Sequence, residues 1–212
     1  MTATWNAIHA ERARLATLLD DLTAEQWRAR SLCAEWTVED VVAHLSAAAS
    51  TTTLRWLVSI AGAGFNADRH NARALSRHLG DDPAATLAEY RRTIPLTIAP
   101  TKDLAAFLGE VIVHGQDIAQ PLGIALVPNR TALSEVAEFY AARDFAVNSR
   151  TLVKGLRLEA DDADFATGEG PLVRGGLLAL VMAMAGRDVS LDCLEGDGVE
   201  ELKRRLGGSL AA

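Results

Sequence analysis

Three side chains of this sequence carry the types and spacing of a metal site. His44 lies in Trp36-Thr37-Val38-Glu39-Asp40-Val41-Val42-Ala43-His44-Leu45, and Glu110 and His114 lie in Gly109-Glu110-Val111-Ile112-Val113-His114-Gly115-Gln116-Asp117. Two neutral imidazoles and one carboxylate form a donor set used by catalytic zinc sites, which leave a fourth position to water or substrate. Glu110 and His114 are four apart, so on a helix they project from one face, and Asp117 continues that stripe. His44 precedes Glu110 by 66 positions and has to come from another helix, as ligands do in bundle metal sites. Asp117 is placed to accept the second ring N–H of a ligating histidine, or to act as a general base if it reaches a metal-bound water.

The elements that would position these groups are legible as helices. Trp5, Ile8, Arg12, Leu15, Leu19 and Leu22 make the apolar stripe of a first helix over Thr2–Leu22. A turn follows from Thr23 to Trp27, then a loop through Cys33-Ala34-Glu35-Trp36. Thr37 with Asp40 three residues on is an N-cap signal for a second, long helix that keeps helical period to the Gly62-Ala63-Gly64 break and holds His44 two turns inside. Asn66–Leu79 reads as a polar surface helix and Ala84–Ile98 as a bundle helix. Leu104–Ala119 is a helix that Asp103 can cap and that Pro121 and Gly123 end. Asn129–Ser149, with Leu133, Val136, Ala137 and Tyr140 inward, is expected as the last bundle helix.

After residue 150 the pattern changes. Leu156–Ala160 alternates like a strand, Phe165-Ala166-Thr167 reads as a second, and Gly168 to Gly170 is turn chemistry. Leu177–Ala185 reads as a buried helix, and Asp197-Gly198-Val199-Glu200 as the start of a final helix to Leu206. The expected fold is therefore mostly α: a four-helix bundle over residues 1–150 with a small α/β appendage over 151–212.

Composition bounds the function classes. The chain has 212 residues, 49% hydrophobic and 23% charged, enough to bury a sizeable core. A formal net charge of -7 argues against nucleic acid as partner, since phosphate binding needs clustered Lys and Arg. The apolar run from Gly175 to Gly186 is too short to span a bilayer. The N-terminus lacks a basic stretch followed by an apolar run, so a cytoplasmic location is expected. Cys33 and Cys193 have neither C-x-x-C spacing nor a disulfide framework.

The site has to be weighed against ordinary readings of the same residues. A lone histidine on an apolar helix is more often a hydrogen-bonded core residue than a ligand. Glu110 shifts that balance, because a carboxylate on the inner face of an apolar helix needs a compensating charge and neither Lys102 nor Lys154 has an obvious claim. Gly109 and Gly115 each weaken a helix interior by about 1 kcal/mol relative to Ala, which points to a close backbone approach or room for a ligand. His9, His70 and His78 are expected as solvated surface residues. Cys33 reads as a buried inert thiol or as part of the pocket mouth, with Trp36 and Trp56 as pocket walls.

The stretches Ser31-Leu32-Cys33-Ala34-Glu35-Trp36-Thr37-Val38-Glu39-Asp40-Val41-Val42-Ala43-His44-Leu45 and Gly109 to Ile118 resemble the mycothiol-dependent maleylpyruvate isomerase-like family of the DinB superfamily. The resemblance implies a DinB-type bundle with His44, Glu110 and His114 as metal ligands, zinc as the usual metal with nickel as another option, and an appendage like a reduced sterol-carrier domain. It also implies mycothiol, or another low-molecular-weight thiol, as cosubstrate. Trp36 is a candidate substrate contact, and Arg174 and Arg187 are the nearest candidates for the basic residues that hold a dicarboxylate in the isomerase.

The chemistry that fits is thiol activation: the thiolate adds to a small electrophile, or adds to a cis double bond, allows rotation and leaves. The expected activity is thus a divalent-metal-dependent thiol S-transferase or isomerase. The alternatives are a metal-dependent hydrolase using activated water, and a non-catalytic, metal-stabilised module that binds a ligand or partner. A homodimer through a bundle face is compatible with the sequence.

Overall fold

The structure is a computed structural model that describes residues 2–33, 36–64, 66–145 and 147–209, so Ala34 and Glu35 of the expected loop lie outside the described residues. The chain divides into two compact units, Met1–Val127 and Pro128–Ala212.

In the first unit, α1 spans Ala3–Asp20, with the Thr2 side chain accepting from Trp5 N–H, and buries Ile8, Arg12, Leu15, Ala16 and Leu19, the stripe read from the sequence. A short α2, Ala24–Arg28, is closed by a capping box between Thr23 and Gln26 and buries Trp27. Helix α3, Val38–Ala49, begins at a Thr37–Asp40 capping box and buries Val38, Val41, Val42, His44 and Leu45. The single long helix expected here breaks: α4 starts afresh at Thr53 and runs to Gly62, with Thr52 as its N-cap. Thr51 turns its hydroxyl back to Ala47 O, and the hydroxyl-bearing run Ser50-Thr51-Thr52 supplies end and start signals that the hydrophobic period conceals.

Helix α5 spans Ala67–Leu75, α6 spans Pro83–Thr93 with Asp82 as N-cap, and α7 spans Leu104–Ala119. Asp103 occupies the N-cap position of α7, but its side chain makes no capping hydrogen bond. Helix α1 packs on α6 and α7, and α3 packs on the same two, so these four helices close the bundle. Its core is built from Leu15, Leu19, Val41, Val42, Leu45, Leu87, Tyr90 and Ile118.

Helix α8, Arg130–Ala142, expected as the last bundle helix with the boundary near residue 150, belongs to the second unit. It buries Leu133, Val136, Ala137 and Tyr140 and packs against α10, Leu177–Met184. A short α9, Ser149–Val153, separates α8 from a four-stranded sheet. The strands are β1 (Arg157–Ala160), β2 (Ala166–Thr167), β3 (Leu172–Gly175) and β4 (Leu194–Glu195), in the order β2-β1-β3-β4. β1 and β3 run parallel; both outer pairings are antiparallel. β3 and β4 are not among the strands expected from the sequence. Gly168, at φ +73°, allows the turn after β2, where a Cβ would meet Leu156 O at 2.2 Å. A 3-10 helix, Asp188–Cys193, and α11, Val199–Ser209, complete this unit. No described helix is long and apolar enough to cross a membrane.

Candidate metal centre

The whole candidate site lies in the first unit. α3 and α7 pack against each other, and the second turn of α3 faces the middle of α7, so His44 meets Glu110 and His114. His44 Nε2 lies 3.0 Å from Glu110 Oε1. The rings of His44 and His114 stand edge to face with centroids 5.0 Å apart. One donor atom from each of the three residues falls within 4.8 Å of the others. A tetrahedral zinc ion with bonds of 2.0–2.1 Å holds its ligand atoms about 3.3 Å apart, so His44, Glu110 and His114 would have to close in slightly to hold a divalent ion.

Behind the cluster, His114 Nδ1 donates to Asp117 Oδ2 at 2.9 Å. That bond leaves Nε2 as the unprotonated nitrogen, the atom a metal needs, in the arrangement by which an outer carboxylate orients a ligating imidazole. Asp117 is fully buried, and its Oδ2 also accepts from Cys33 Sγ at 2.9 Å. These partners suit it to orienting His114 rather than to reaching a water as a base.

The electrostatics follow from burial and charge pairing. Burial pushes the Glu110 carboxyl up, but the hydrogen bond and charge of His44, with the charges of His114 and Arg12, outweigh it and hold Glu110 below the ordinary carboxylate range. Burial holds His114 below the ordinary histidine range, opposed in part by its hydrogen bond to Asp117. Both groups are thereby favoured in their metal-ligating forms.

The loop before α3 covers this cluster. Leu32 N–H donates to Asp117 O, Ser31 Oγ donates to Trp36 O, and a bridge pairs Arg30 with Thr37. The loop thereby holds Trp36 with its ring centroid 4.9 Å from that of His44 and 6.5 Å from that of His114. It also places Cys33 Sγ 3.4 Å from His114 Nδ1. Cys33 is therefore part of the site's surroundings rather than an inert core thiol, and sequence alone gave no register between this loop and α7.

Other expectations change. Trp56 sits on α4, 38% exposed and edge-on to His70 at 6.2 Å. His70, expected at the surface, is buried with Nδ1 2.9 Å from Ser59 Oγ. His9 and His78 are half-buried, beside Leu96 O and Glu89 respectively. Gly115 makes room for neighbouring protein, since a Cβ there would meet Leu126 Cδ2 at 3.0 Å. Arg12, read only as part of the α1 stripe, is buried with its guanidinium on Thr93 O, Leu96 O and the Phe107 ring, one turn from Glu110 along α7. Arg174 is exposed on β3 of the second unit, and Arg187 of the same unit is half-buried and donates to Ala185 O.

Residues 8–105 match the profile of the mycothiol maleylpyruvate isomerase N-terminal domain, a span that includes His44. This is the family the sequence resembles. The matched span ends before Glu110 and His114, which are joined to it by the geometry above. No curated protein sequence matches the chain. Among solved structures, the chain resembles the crystal structure of the mycothiol-dependent maleylpyruvate isomerase, at 16% identity and TM-score 0.65, covering 92% of this chain and 91% of that one. It also resembles a histidine-to-alanine mutant of that isomerase, at 14% identity and TM-score 0.64, with the same coverage. These likenesses establish the mostly helical fold with its small sheet.

Proposed function

We propose that this protein is a divalent-metal-dependent thiol S-transferase or isomerase that activates a low-molecular-weight thiol, mycothiol by family, for addition to a small electrophile. The observation that carries the reading is the convergence of His44, Glu110 and His114 on one point, with Asp117 orienting His114 from behind. When bound, a divalent ion such as zinc supplies a Lewis-acid position at which a thiol gives up its proton and is held as thiolate. His44, Glu110 and His114 would hold the ion, and Asp117 fixes the tautomer that points His114 Nε2 at it. Trp36 lies beside His44 and would give a bound thiol an apolar neighbour. The match to the isomerase N-terminal domain and the likeness to the isomerase structure support the thiol and the reaction class.

The test is elemental mass spectrometry of untagged protein supplied with zinc or nickel, comparing wild type with Glu110→Ala and His114→Ala, followed by a thiol-consumption assay with mycothiol and a panel of small electrophiles. The expected result is near one metal per chain, lost in both variants, and conjugation or isomerisation that needs both metal and thiol. Folded wild type without metal under either supply, or turnover that ignores the thiol, overturns the proposal.

A further inference from the structure

The thiol of Cys33 touches the candidate centre and has no part in the reading above. It is held firmly: Cys33 N–H donates to Ser31 Oγ at 3.0 Å, Trp36 N–H donates to Cys33 O at 2.8 Å, and Leu32 N–H donates to Asp117 O at 3.0 Å. These bonds aim Sγ at Asp117 Oδ2, the same oxygen that accepts from His114 Nδ1. The three groups are not a nucleophilic Cys-His-Asp relay. Such a relay needs thiol and carboxylate on opposite ring nitrogens of the histidine, whereas here both face Nδ1. The shorter contact of the thiol is its hydrogen bond to Asp117.

We infer that Cys33 is a positioning residue of the metal centre: its S–H shares Asp117 Oδ2 with the His114 Nδ1–H, withholding part of the carboxylate charge from the imidazole and so setting how strongly His114 Nε2 donates to a metal. A carboxylate oxygen that accepts two hydrogen bonds polarises each donor less than one that accepts a single bond, and the effect is felt more strongly away from water. The weak donor strength of a thiol suits the role, because it draws off some charge without claiming the oxygen. A serine hydroxyl, a stronger donor, would draw off more, and an alanine none.

The inference rests on the metal ligation proposed above and makes a signed prediction that simple packing does not. Zinc affinity, measured by chelator competition, is expected to rise about 3–10-fold in Cys33→Ala, a smaller change than the 10–100-fold typical of losing an outer-shell partner altogether. In Cys33→Ser it is expected to equal or fall below wild type. If the thiol merely packed the loop, Cys33→Ala would weaken binding and the near-isosteric serine would restore it, the opposite order. In an Asp117→Asn background Cys33→Ala is expected to have no effect, because the two substitutions then act on one broken link. Zinc bound by wild type and lost in Glu110→Ala, with affinity unchanged or lowered in Cys33→Ala, overturns this inference alone. Wild type that binds no zinc, or Glu110→Ala that keeps it, overturns the ligation and this inference with it.

Discussion

A carboxylate fully withdrawn from water survives only if its oxygens are matched by donors, and Oδ2 of Asp117 accepts from both an imidazole and a thiol. The burial would be wasteful for a group whose only task was to fill the end of a helix. It is accounted for if the carboxylate has to hold His114 in one tautomer with Nε2 turned to the ion. Asp117→Asn keeps the shape and one acceptor oxygen but removes the charge, so zinc affinity should fall about 10–100-fold. Glu110→Gln, which removes the anionic donor itself, should cost more, so the order of affinity is wild type, Asp117→Asn, Glu110→Gln. Chelator competition on the three proteins reads that order directly, and an Asp117→Asn protein that holds zinc as tightly as wild type would show that the carboxylate is structural.

Helix α3 turns these residue contacts into a fixed geometry. Its register is pinned at the start, where Thr37 Oγ accepts from Asp40 N–H and Asp40 Oδ2 accepts from both Thr37 N–H and Thr37 Oγ. Thr37→Ala should lower stability to denaturant by about 1 kcal/mol, the usual cost of a lost N-cap, while the protein still takes up metal at saturating supply. A Thr37→Ala protein as stable as wild type would place the pinning elsewhere. This cap was legible in the sequence, as were the stripes of α1, α3 and α7 and the placing of Glu110 and His114 on one face of a helix, because each is fixed by local spacing. What spacing cannot give is the partner of a face. The apolar stripe of α8 says that Leu133, Val136 and Tyr140 are buried but not that α8 packs against α10. The break between α3 and α4 is hidden because Leu45, Ala49 and Thr52 keep period through it, although α4 itself buries none of its described residues. Cys33 and His70 belong to the same class of omission, since their surroundings are made by segments distant in sequence.

At the scale of the whole molecule, burial of the donor set makes stability depend on pH with a definite sign. His114 and His70 are both held below the ordinary histidine value by burial, so between that value and their folded values the unfolded chain binds more protons than the native one. Stability therefore falls as pH drops below about 6.5. Glu110, held below the ordinary carboxylate value, contributes stability that is present above that value and is lost at lower pH, as the pH falls through its folded value. All three act in one direction, and no compensating rise is expected on the acid side. In metal-free protein the melting temperature should accordingly fall from pH 7 to pH 5, with a shallower slope in His114→Asn, where only His70 of the two histidines still titrates in this way. Saturating zinc binds only the native, deprotonated ligands, so the gain in melting temperature should be greatest near pH 7 to 8 and shrink as acid competes for the same atoms. Calorimetry across this range, with and without zinc, separates the two effects. A metal-free protein whose melting temperature is flat from pH 7 to pH 5 would contradict the burial of these histidines, whereas a zinc-induced gain that does not shrink in acid would show that the ion is bound by groups other than His44, Glu110 and His114.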